Sequence, residues 1–287
     1  MALFNQTPST PHHGRGWDGR CFLTPGSTRD KIIIVFSGSD GGLEHAVKCC
    51  RYLYDNGVDC FALGYFRTKH SAKSLNLIPV EIIGEVIALL KGMGYARIGL
   101  EGVSKGAELA LAAAIAYPEI SCVILKTPSW FYSEGLIGGQ PSGESCWSYK
   151  GKPLPFTPYR ERHFNTLGMI CKAKEYNILP LNTGKAVTPE SVIPVEQIHA
   201  PILMFSTKVD TIWPSTESCV KLCARLMDSA FPYRHIAFEH MSHMMLEYCG
   251  KAIAWFIKSE RENPAACEAE RNAMGEECLR WIRDVWA

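Results

Sequence analysis

The sequence predicts an α/β fold, in which helices cover both faces of a mostly parallel central sheet. Short runs of β-branched and apolar residues alternate with helical stretches, at the spacing of βαβ units. The first such run, KIIIVF at 31–36, is apolar at almost every position, which is typical of a strand buried on both faces. Hydrophobic residues make up 47% and charged residues 21% of the 287 positions, a composition able to bury a sizeable core.

The individual elements follow from local periodicity and from the residues that end each helix. The first twenty residues show no sustained period and are predicted to be an irregular lead-in. Gly57 stands where a helix C-cap residue belongs, between a predicted helix and the next strand. Strands are predicted over 31–36, 58–65, 97–101, 121–125, 201–206 and 233–238. Helices are predicted over 43–56, 78–93, 105–117, 215–227, 248–259 and 265–285.

The alternation is interrupted between residues 127 and 198, where Pro, Gly and aromatic residues dominate. Roughly seventy residues are too many for a simple loop, so this segment is expected to be an insertion with some structure of its own. We predict one α/β domain over 1–287 with a lid-like insertion over 130–198.

Charge, hydropathy and cysteine content exclude several classes of protein. The net charge is +1 and the sequence pI is about 7.5, which argues against a nucleic-acid-binding protein. No apolar stretch reaches the ~18–20 residues of a membrane span, and the first twenty residues lack the apolar core of a secretory signal. Twelve cysteines without a C-x-x-C pair favour free thiols, and Cys219 and Cys223 fit a helix face better than a metal site. A soluble, cytoplasmic protein is the expectation.

The strongest local motif is GVSKG at 102–106, which fits G-x-S-x-G and lies between a predicted strand and a predicted helix. In such a turn the serine is held in a strained conformation, and the flanking glycines leave space around it. The N-terminus of the following helix favours a developing oxyanion. Ser104 is therefore predicted to be a nucleophile, and the motif indicates the α/β-hydrolase variant of the fold.

A serine hydroxyl needs a base, and the base needs an acid that orients it. In α/β-hydrolases the acid and then the histidine follow the serine along the chain. Asp210 comes just after the predicted strand 201–206, at the sheet edge where the serine emerges. Asp228 ends a predicted helix and is expected to be a solvated charge, so Asp210 is the predicted acid.

Three histidines lie near the end of the predicted strand 233–238. His235 falls inside the strand and is expected to be packed there. His243 leaves a fuller turn of loop to return over the sheet than His240 does, so His243 is the predicted base and His240 the alternative. Glu239 and Glu247 in the same segment are expected to be solvated charges.

The oxyanion requires two backbone N–H donors. One is expected from Lys105, which follows the serine, and the other from the small-residue loop 37–42, where Ser39 is the first choice and Gly38 the second. This set of groups supplies nucleophile, base and electrophile, so no metal and no cofactor are predicted.

Several segments together resemble one family, the catalytic domain shared by acyl-CoA thioesterases and bile acid-CoA:amino acid N-acyltransferases, in the dienelactone-hydrolase-like branch of α/β-hydrolases. The segments are GSDGG at 38–42, GVSKGAEL at 102–109, YKGKPLP at 149–155, IPVE at 193–196, Asp210 and the stretch around His243 with Glu247 downstream. They occur in order over roughly residues 30–285, and together they are far more specific than G-x-S-x-G alone. Members of this family often carry an N-terminal β-sandwich domain, which is not expected in this chain.

The resemblance implies a Ser or Cys nucleophile, an aspartate and a histidine, which map onto Ser104, Asp210 and His243. It associates aminoacyl transfer with a cysteine nucleophile, so the serine favours hydrolysis of an acyl thioester of the acyl-CoA type or of an ester. Three alternatives remain: a carboxylesterase or dienelactone-type hydrolase, an acyl-CoA:amino acid N-acyltransferase, and a catalytically silent binding protein.

The expected partner is a small-molecule acyl ester or acyl-CoA, with no nucleic acid and no membrane, and the oligomeric state stays open. Aromatic residues of the insertion could line an acyl pocket or form the insertion's own core; they are Trp130, Phe131, Trp147, Phe156 and Tyr159. Four cations of the insertion could meet coenzyme A phosphates, although a solvated basic stretch is the favoured interpretation; they are Lys150, Lys152, Arg160 and Arg162.

Overall fold

A large central sheet organises the computed structural model, which describes residues 8–164, 187–247 and 257–286. The strands in these ranges are β1 (Thr10–Gly14), β2 (Trp17–Phe22), β3 (Lys31–Phe36), β4 (Cys60–Gly64), β5 (Ile78–Pro79), β6 (Arg97–Val103), β7 (Ile120–Lys126), β8 (Glu134–Ile137), β9 (Gln140–Ser145), β10 (Trp147–Tyr149), β11 (Lys152–Pro153), β12 (Ile202–Thr207) and β13 (Tyr233–Phe238). The α-helices are α1 (Glu44–Asp55), α2 (Glu81–Gly92), α3 (Lys105–Ala116), α4 (Ser215–Arg225), α5 (Lys258–Glu262) and α6 (Pro264–Arg280).

Eight of these strands form the main sheet, in the order β1-β2-β4-β3-β6-β7-β12-β13. From β4 to β13 all neighbours are parallel, whereas β1, β2 and β4 pair antiparallel at one edge. Parallel strands joined by helices bring the carboxyl ends of β3, β6, β12 and β13 to one edge of the sheet, which positions the loops that follow them side by side. The predicted α/β fold with a mostly parallel sheet is confirmed.

The expectation of an irregular lead-in is wrong for the described residues of the N-terminus. β1 and β2 form a hairpin whose turn contains Gly16 at φ +89°, and β2 pairs with β4. Trp17, Cys21 and Phe22 are buried, but β1 carries mostly exposed polar residues. An edge hairpin of this kind has little apolar periodicity, because tertiary pairing with β4 decides its conformation.

Most predicted elements occur within two or three residues of their predicted bounds, and 31–36 and 233–238 match β3 and β13 fully. The helix predicted over 78–93 begins only at Glu81, because Ile78–Pro79 pairs with Trp147–Ser148 as a short strand. The helix predicted over 265–285 is present as α6, followed by a π-helical turn at Trp281–Val285. The helix predicted over 248–259 lies largely outside the described residues. Nowhere in the ranges described does a helix have the length and apolarity needed to cross a bilayer.

The two faces of the sheet bury two separate cores. Along β3, Ile32, Ile34 and Phe36 face the core formed with α2, α3 and α4, while Ile33 and Val35 face the core formed with α1 and α6. This alternation is the period of two that a strand imposes, with apolar residues required on both sides.

The described part of the insertion consists of short β-elements. β8 and β9 form a hairpin, and β10 pairs with β11 and with β5. Residues 165–186 of the predicted insertion lie outside the described residues. The division into one domain with a lid-like insertion over 130–198 stays a prediction.

Candidate active site

Ser104 occupies a strained turn between β6 and α3. Its φ of 57° and ψ of −119° are rare for a residue with a side chain. A Cβ atom added to Gly102 would lie 2.3 Å from the Gly106 carbonyl oxygen, and one added to Gly106 would lie 2.4 Å from the Ser37 carbonyl oxygen. Both glycines are therefore required by close backbone approach, which is the physical basis of the G-x-S-x-G pattern.

Asp210 and His243 form a hydrogen-bonded pair in the loops after β12 and β13. His243 Nδ1 lies 3.0 Å and 2.9 Å from the two carboxylate oxygens of Asp210. The same carboxylate accepts the backbone N–H groups of Ile212 at 2.9 Å and Trp213 at 3.2 Å, and the Trp213 ring packs edge-on against His243 at 5.0 Å between centroids. These contacts fix the imidazole, whose buried Nε2 has no hydrogen-bond partner among the described residues.

Ser104 and His243 line one pocket of about 300 Å³, together with the loop after β3. Ser39 and Lys105, predicted as backbone donors, also line this pocket. A Cβ atom added to Gly38 would lie 3.2 Å from Ser104 Cβ, so the loop after β3 packs directly beside the serine. The structure thus brings the sequence-predicted site residues together, with Asp210 directly behind His243.

The alternative residues lie elsewhere. The backbone N–H of His240 is bonded to the Glu270 carboxylate, and His240 is not among the residues that line the pocket. Asp228 is exposed, and His235 Nε2 lies 2.7 Å from Ser206 Oγ on the neighbouring strand. Burial lowers the pKa of His235, because it disfavours the charged imidazolium.

The wall of the pocket is mostly apolar and only partly foreseen. Of the five insertion aromatics considered, Tyr159 lines it, whereas Trp147 is fully buried in the core. Leu136, Phe164, Ile212 and Trp213 also line the pocket; they come from three separate segments of the chain and carry no shared sequence signal.

Lys105 and Glu108 connect α3 to residues of the predicted insertion, a role that sequence reasoning missed. Lys105 Nζ lies 3.4 Å from Glu108 Oε1, contacts Ser133 Oγ and donates to the Glu134 carbonyl oxygen at 3.2 Å. Glu108 accepts hydrogen bonds from Ser133 and from Trp147 Nε1. Burial by itself lowers the pKa of Lys105, but the Glu108 carboxylate raises it above the usual value, so the lysine is charged.

A second buried ionic group lies under the serine and histidine loops. Lys126 Nζ, at the end of β7, lies 2.6 Å from Glu101 Oε1 and also contacts Glu247, four residues after His243. All three side chains are at most 2% exposed, so the expectation that Glu247 is a solvated charge is wrong. The Lys126 carbonyl oxygen accepts the N–H of Ser104 at 2.9 Å, which ties this group to the strained turn.

One cluster of side chains has ligand atoms close enough together to hold a metal ion. It consists of Cys49, Glu101 and Glu247, whose ligand atoms lie within 4.8 Å of one another. Lys126 already contacts both carboxylates through its ammonium group. Burial raises the pKa of the Cys49 thiol well above its usual range. The residues present fit an internal ion pair better than a metal ion. The ten cysteines in the described ranges are free thiols.

Comparison with known proteins places this site in a family. The family model described as BAAT / acyl-CoA thioester hydrolase C terminal matches residues 85–249, which is more than half of the chain. The chain is 27% identical over 215 residues to mouse acyl-coenzyme A thioesterase 6 and 26% identical over 217 residues to human acyl-coenzyme A thioesterase 1. These matches cover 71% and 72% of the chain but only 46% and 47% of the relatives, so the chain spans about half their length.

Solved structures agree on the fold. The α/β hydrolase GrgF from Penicillium superposes with a TM-score of 0.56 at 13% identity, covering 82% of this chain and 91% of that one. At this identity the similarity establishes the α/β-hydrolase fold alone. The family model matches the segments that contain Ser104, Asp210 and His243. The chain therefore belongs to the BAAT / acyl-CoA thioester hydrolase C-terminal family.

Proposed function

We propose that the protein hydrolyses acyl thioesters of the coenzyme A type, with Ser104 as nucleophile, His243 as general base and acid, and Asp210 as the group that orients the imidazole. One observation carries the proposal: Ser104 on its positive-φ turn and the His243–Asp210 pair meet at a single pocket. Family membership supports the choice of an acyl thioester over other carbonyl substrates.

The reaction would proceed in two steps. Ser104 Oγ forms a bond to the thioester carbonyl carbon while its proton passes to His243 Nε2, and the C–S bond then breaks as the thiolate sulfur takes up that proton. A water molecule next gives a proton to His243, its oxygen bonds to the acyl carbon, and the C–O bond to Ser104 breaks with return of the proton to the serine. The products are a thiol and a carboxylic acid.

The oxyanion would be held by the backbone N–H groups of Ser39 and Lys105. Lys105 is the first residue of α3, where N–H groups have no acceptor within the helix. Gly38 packs against Ser104, so the loop that carries Ser39 lies beside the serine, which supports Ser39 as the second donor. Each such donor contributes about 3 kcal/mol to transition-state stabilisation.

The apolar wall of the pocket suits the acyl chain. Leu136, Ile212 and Phe164 offer no charge to the chain, and burying each methylene is worth about 0.8 kcal/mol. This supports acyl substrates over polar ones.

The test compares thioesters with oxygen esters. Purified protein is given acyl-CoAs of graded chain length and the matching p-nitrophenyl esters, and release of free thiol and of nitrophenol is followed. We expect higher kcat/KM for at least one acyl-CoA than for its ester. Preference for esters at every chain length would instead identify a carboxylesterase, and acyl transfer to added glycine or taurine would identify an N-acyltransferase.

Variants of the site test the residue roles. Ser104→Ala and His243→Ala should each lower kcat by at least about 10³-fold. His240→Ala is the matched control and should keep nearly full activity, because the hydrogen bonds of His240 are made by its backbone N–H and C=O groups. Loss of activity in His240→Ala with retention in His243→Ala would contradict the assignment.

A further inference from the structure

A second cleft, lined by both polar and apolar residues, adjoins the apolar pocket that holds Ser104. Its volume is about 440 Å³, and it shares Ser39, Leu136 and Gly139 with that pocket. The two cavities therefore meet beside Ser104. The acyl chain of a substrate bound there could lie in the apolar pocket, and its leaving group could extend past Ser39 into the second cleft.

Two cations line the cleft, Arg67 and Lys73, both from the loop between β4 and β5. Neither has a carboxylate within ion-pair distance among the described residues, and no acidic side chain of that part of the chain lines the cleft. Within the described ranges, the acceptor of Lys73 Nζ is neutral: it is the Thr68 carbonyl oxygen at 3.4 Å. A cleft with positive charge and no internal counterion favours an anionic ligand.

Arg67 is held in place beside the predicted oxyanion loop. Its backbone N–H donates to the Ala72 carbonyl oxygen at 2.7 Å, and its φ is 57°, so the turn that carries it is tight. Its Nη1 donates to the carbonyl oxygen of Asp40, the residue after Ser39, at 3.1 Å. The Asp40 carboxylate is directed to His45 Nδ1 at 3.2 Å and lines the other pocket, so it does not neutralise Arg67 within the cleft.

We infer that this cleft binds the phosphate-bearing leaving group of the thioester, with Arg67 and Lys73 as the phosphate contacts. This inference rests on the proposed thioester hydrolysis and adds the recognition of its leaving group. Arginine provides several donors for phosphate oxygens and lysine a point charge. Arg162, one of the insertion cations, is already paired with Glu134 at 2.8 Å through both Nη atoms.

The experiment compares two thioesters of the same acyl chain, one of coenzyme A and one of N-acetylcysteamine, which has no phosphate. Arg67→Gln and Lys73→Met should each lower kcat/KM for the coenzyme A thioester about tenfold and leave that for the N-acetylcysteamine thioester within about twofold. Lys69→Met is the matched control, because it removes one exposed positive charge of the same loop that does not line the cleft, and it should change neither value.

An equal loss with both thioesters, or no loss with either, would overturn the inference while leaving thioester hydrolysis intact. Absence of hydrolysis with both thioesters in the unmodified protein would instead overturn the proposed function. The cleft is still tested in that case by calorimetric binding of free coenzyme A, with inorganic phosphate as competitor. Lys73→Met should then weaken binding about tenfold, and unchanged affinity would refute the site.

Discussion

Replacing Lys126 by Met would remove the cation between two buried carboxylates while keeping a side chain of similar length. In the folded protein Lys126 Nζ lies 2.6 Å from Glu101 and also contacts Glu247, and all three side chains are at most 2% exposed. Burial by itself lowers the pKa of Lys126, but the two carboxylates raise it well above its usual value, so the lysine is charged. The variant would leave Glu101 and Glu247 facing each other without a counterion.

The expected loss of stability follows from this geometry. The two carboxylates present oxygens within 4.8 Å of each other, and like charges at that distance repel by about 3.5 kcal/mol at an effective dielectric constant of about 20. Removing one partner of a buried ionic group typically costs about 3–5 kcal/mol. The free energy of unfolding at neutral pH should therefore fall by about 3–5 kcal/mol, a large part of the usual ~5–15 kcal/mol.

The loss should also depend on pH. Burial already raises the pKa of Glu101, and Lys126 opposes that shift, so its removal would raise the pKa further. A carboxyl whose pKa is higher in the folded state than in the unfolded state stabilises the fold at low pH and loses that contribution as pH rises through the folded-state pKa. The difference between the variant and the unmodified protein should grow with pH, by up to about 1.4 kcal/mol per pH unit, once the pH exceeds the raised pKa of Glu101 in the unmodified protein.

Urea unfolding at several pH values measures this effect. Lys208→Met is the matched control, because Lys208 forms an ion pair with Glu239 in which both side chains are more than half exposed, and its loss should cost at most about 1 kcal/mol. Adding Glu247→Gln to Lys126→Met should restore part of the stability if the variant folds poorly. A loss below about 1 kcal/mol, or one that is independent of pH, would refute the reasoning.

Three further predictions concern the site. Asp210→Asn should lower kcat about 10⁴-fold with little change in folding, because the amide favours the wrong tautomer of His243; steady-state kinetics with near-native circular dichroism checks this. Gly102→Ala should destabilise the protein by at least about 2 kcal/mol in urea unfolding, since its Cβ would lie 2.3 Å from the Gly106 carbonyl oxygen; unchanged stability would contradict this. Glu108→Gln should cost about 3 kcal/mol and shift tryptophan fluorescence, because Glu108 carries the buried hydrogen bonds of the insertion; an unshifted emission maximum would argue against that role.

Local sequence signals sufficed for most of the sheet and for the location of the candidate site. Continuous apolar runs identified the parallel strands, because a strand covered on both faces must be apolar at successive positions. G-x-S-x-G located Ser104 from five adjacent residues, since the turn itself demands the two glycines. Chain order then led to Asp210 and His243, which the structure shows in a hydrogen-bonded pair.

Long-range contacts decided what the sequence could not express. The N-terminal hairpin depends on pairing with β4, so its own residues show no strong period. Glu247 and Lys126 are 121 residues apart, and nothing in the neighbourhood of either indicates that the other will bury and balance its charge. The same holds for Lys105 and Glu108, whose partners lie in the insertion.

The sequence by itself therefore determined the order of elements, the α/β class and the candidate serine, aspartate and histidine, because each is encoded by periodicity, turn chemistry or chain order. The tertiary structure alone decided which charges are buried, what lines the pocket and where Arg67 and Lys73 stand relative to Ser39. These depend on the approach of distant segments, and the energy of a charge is set by its surroundings, not by its neighbours along the chain.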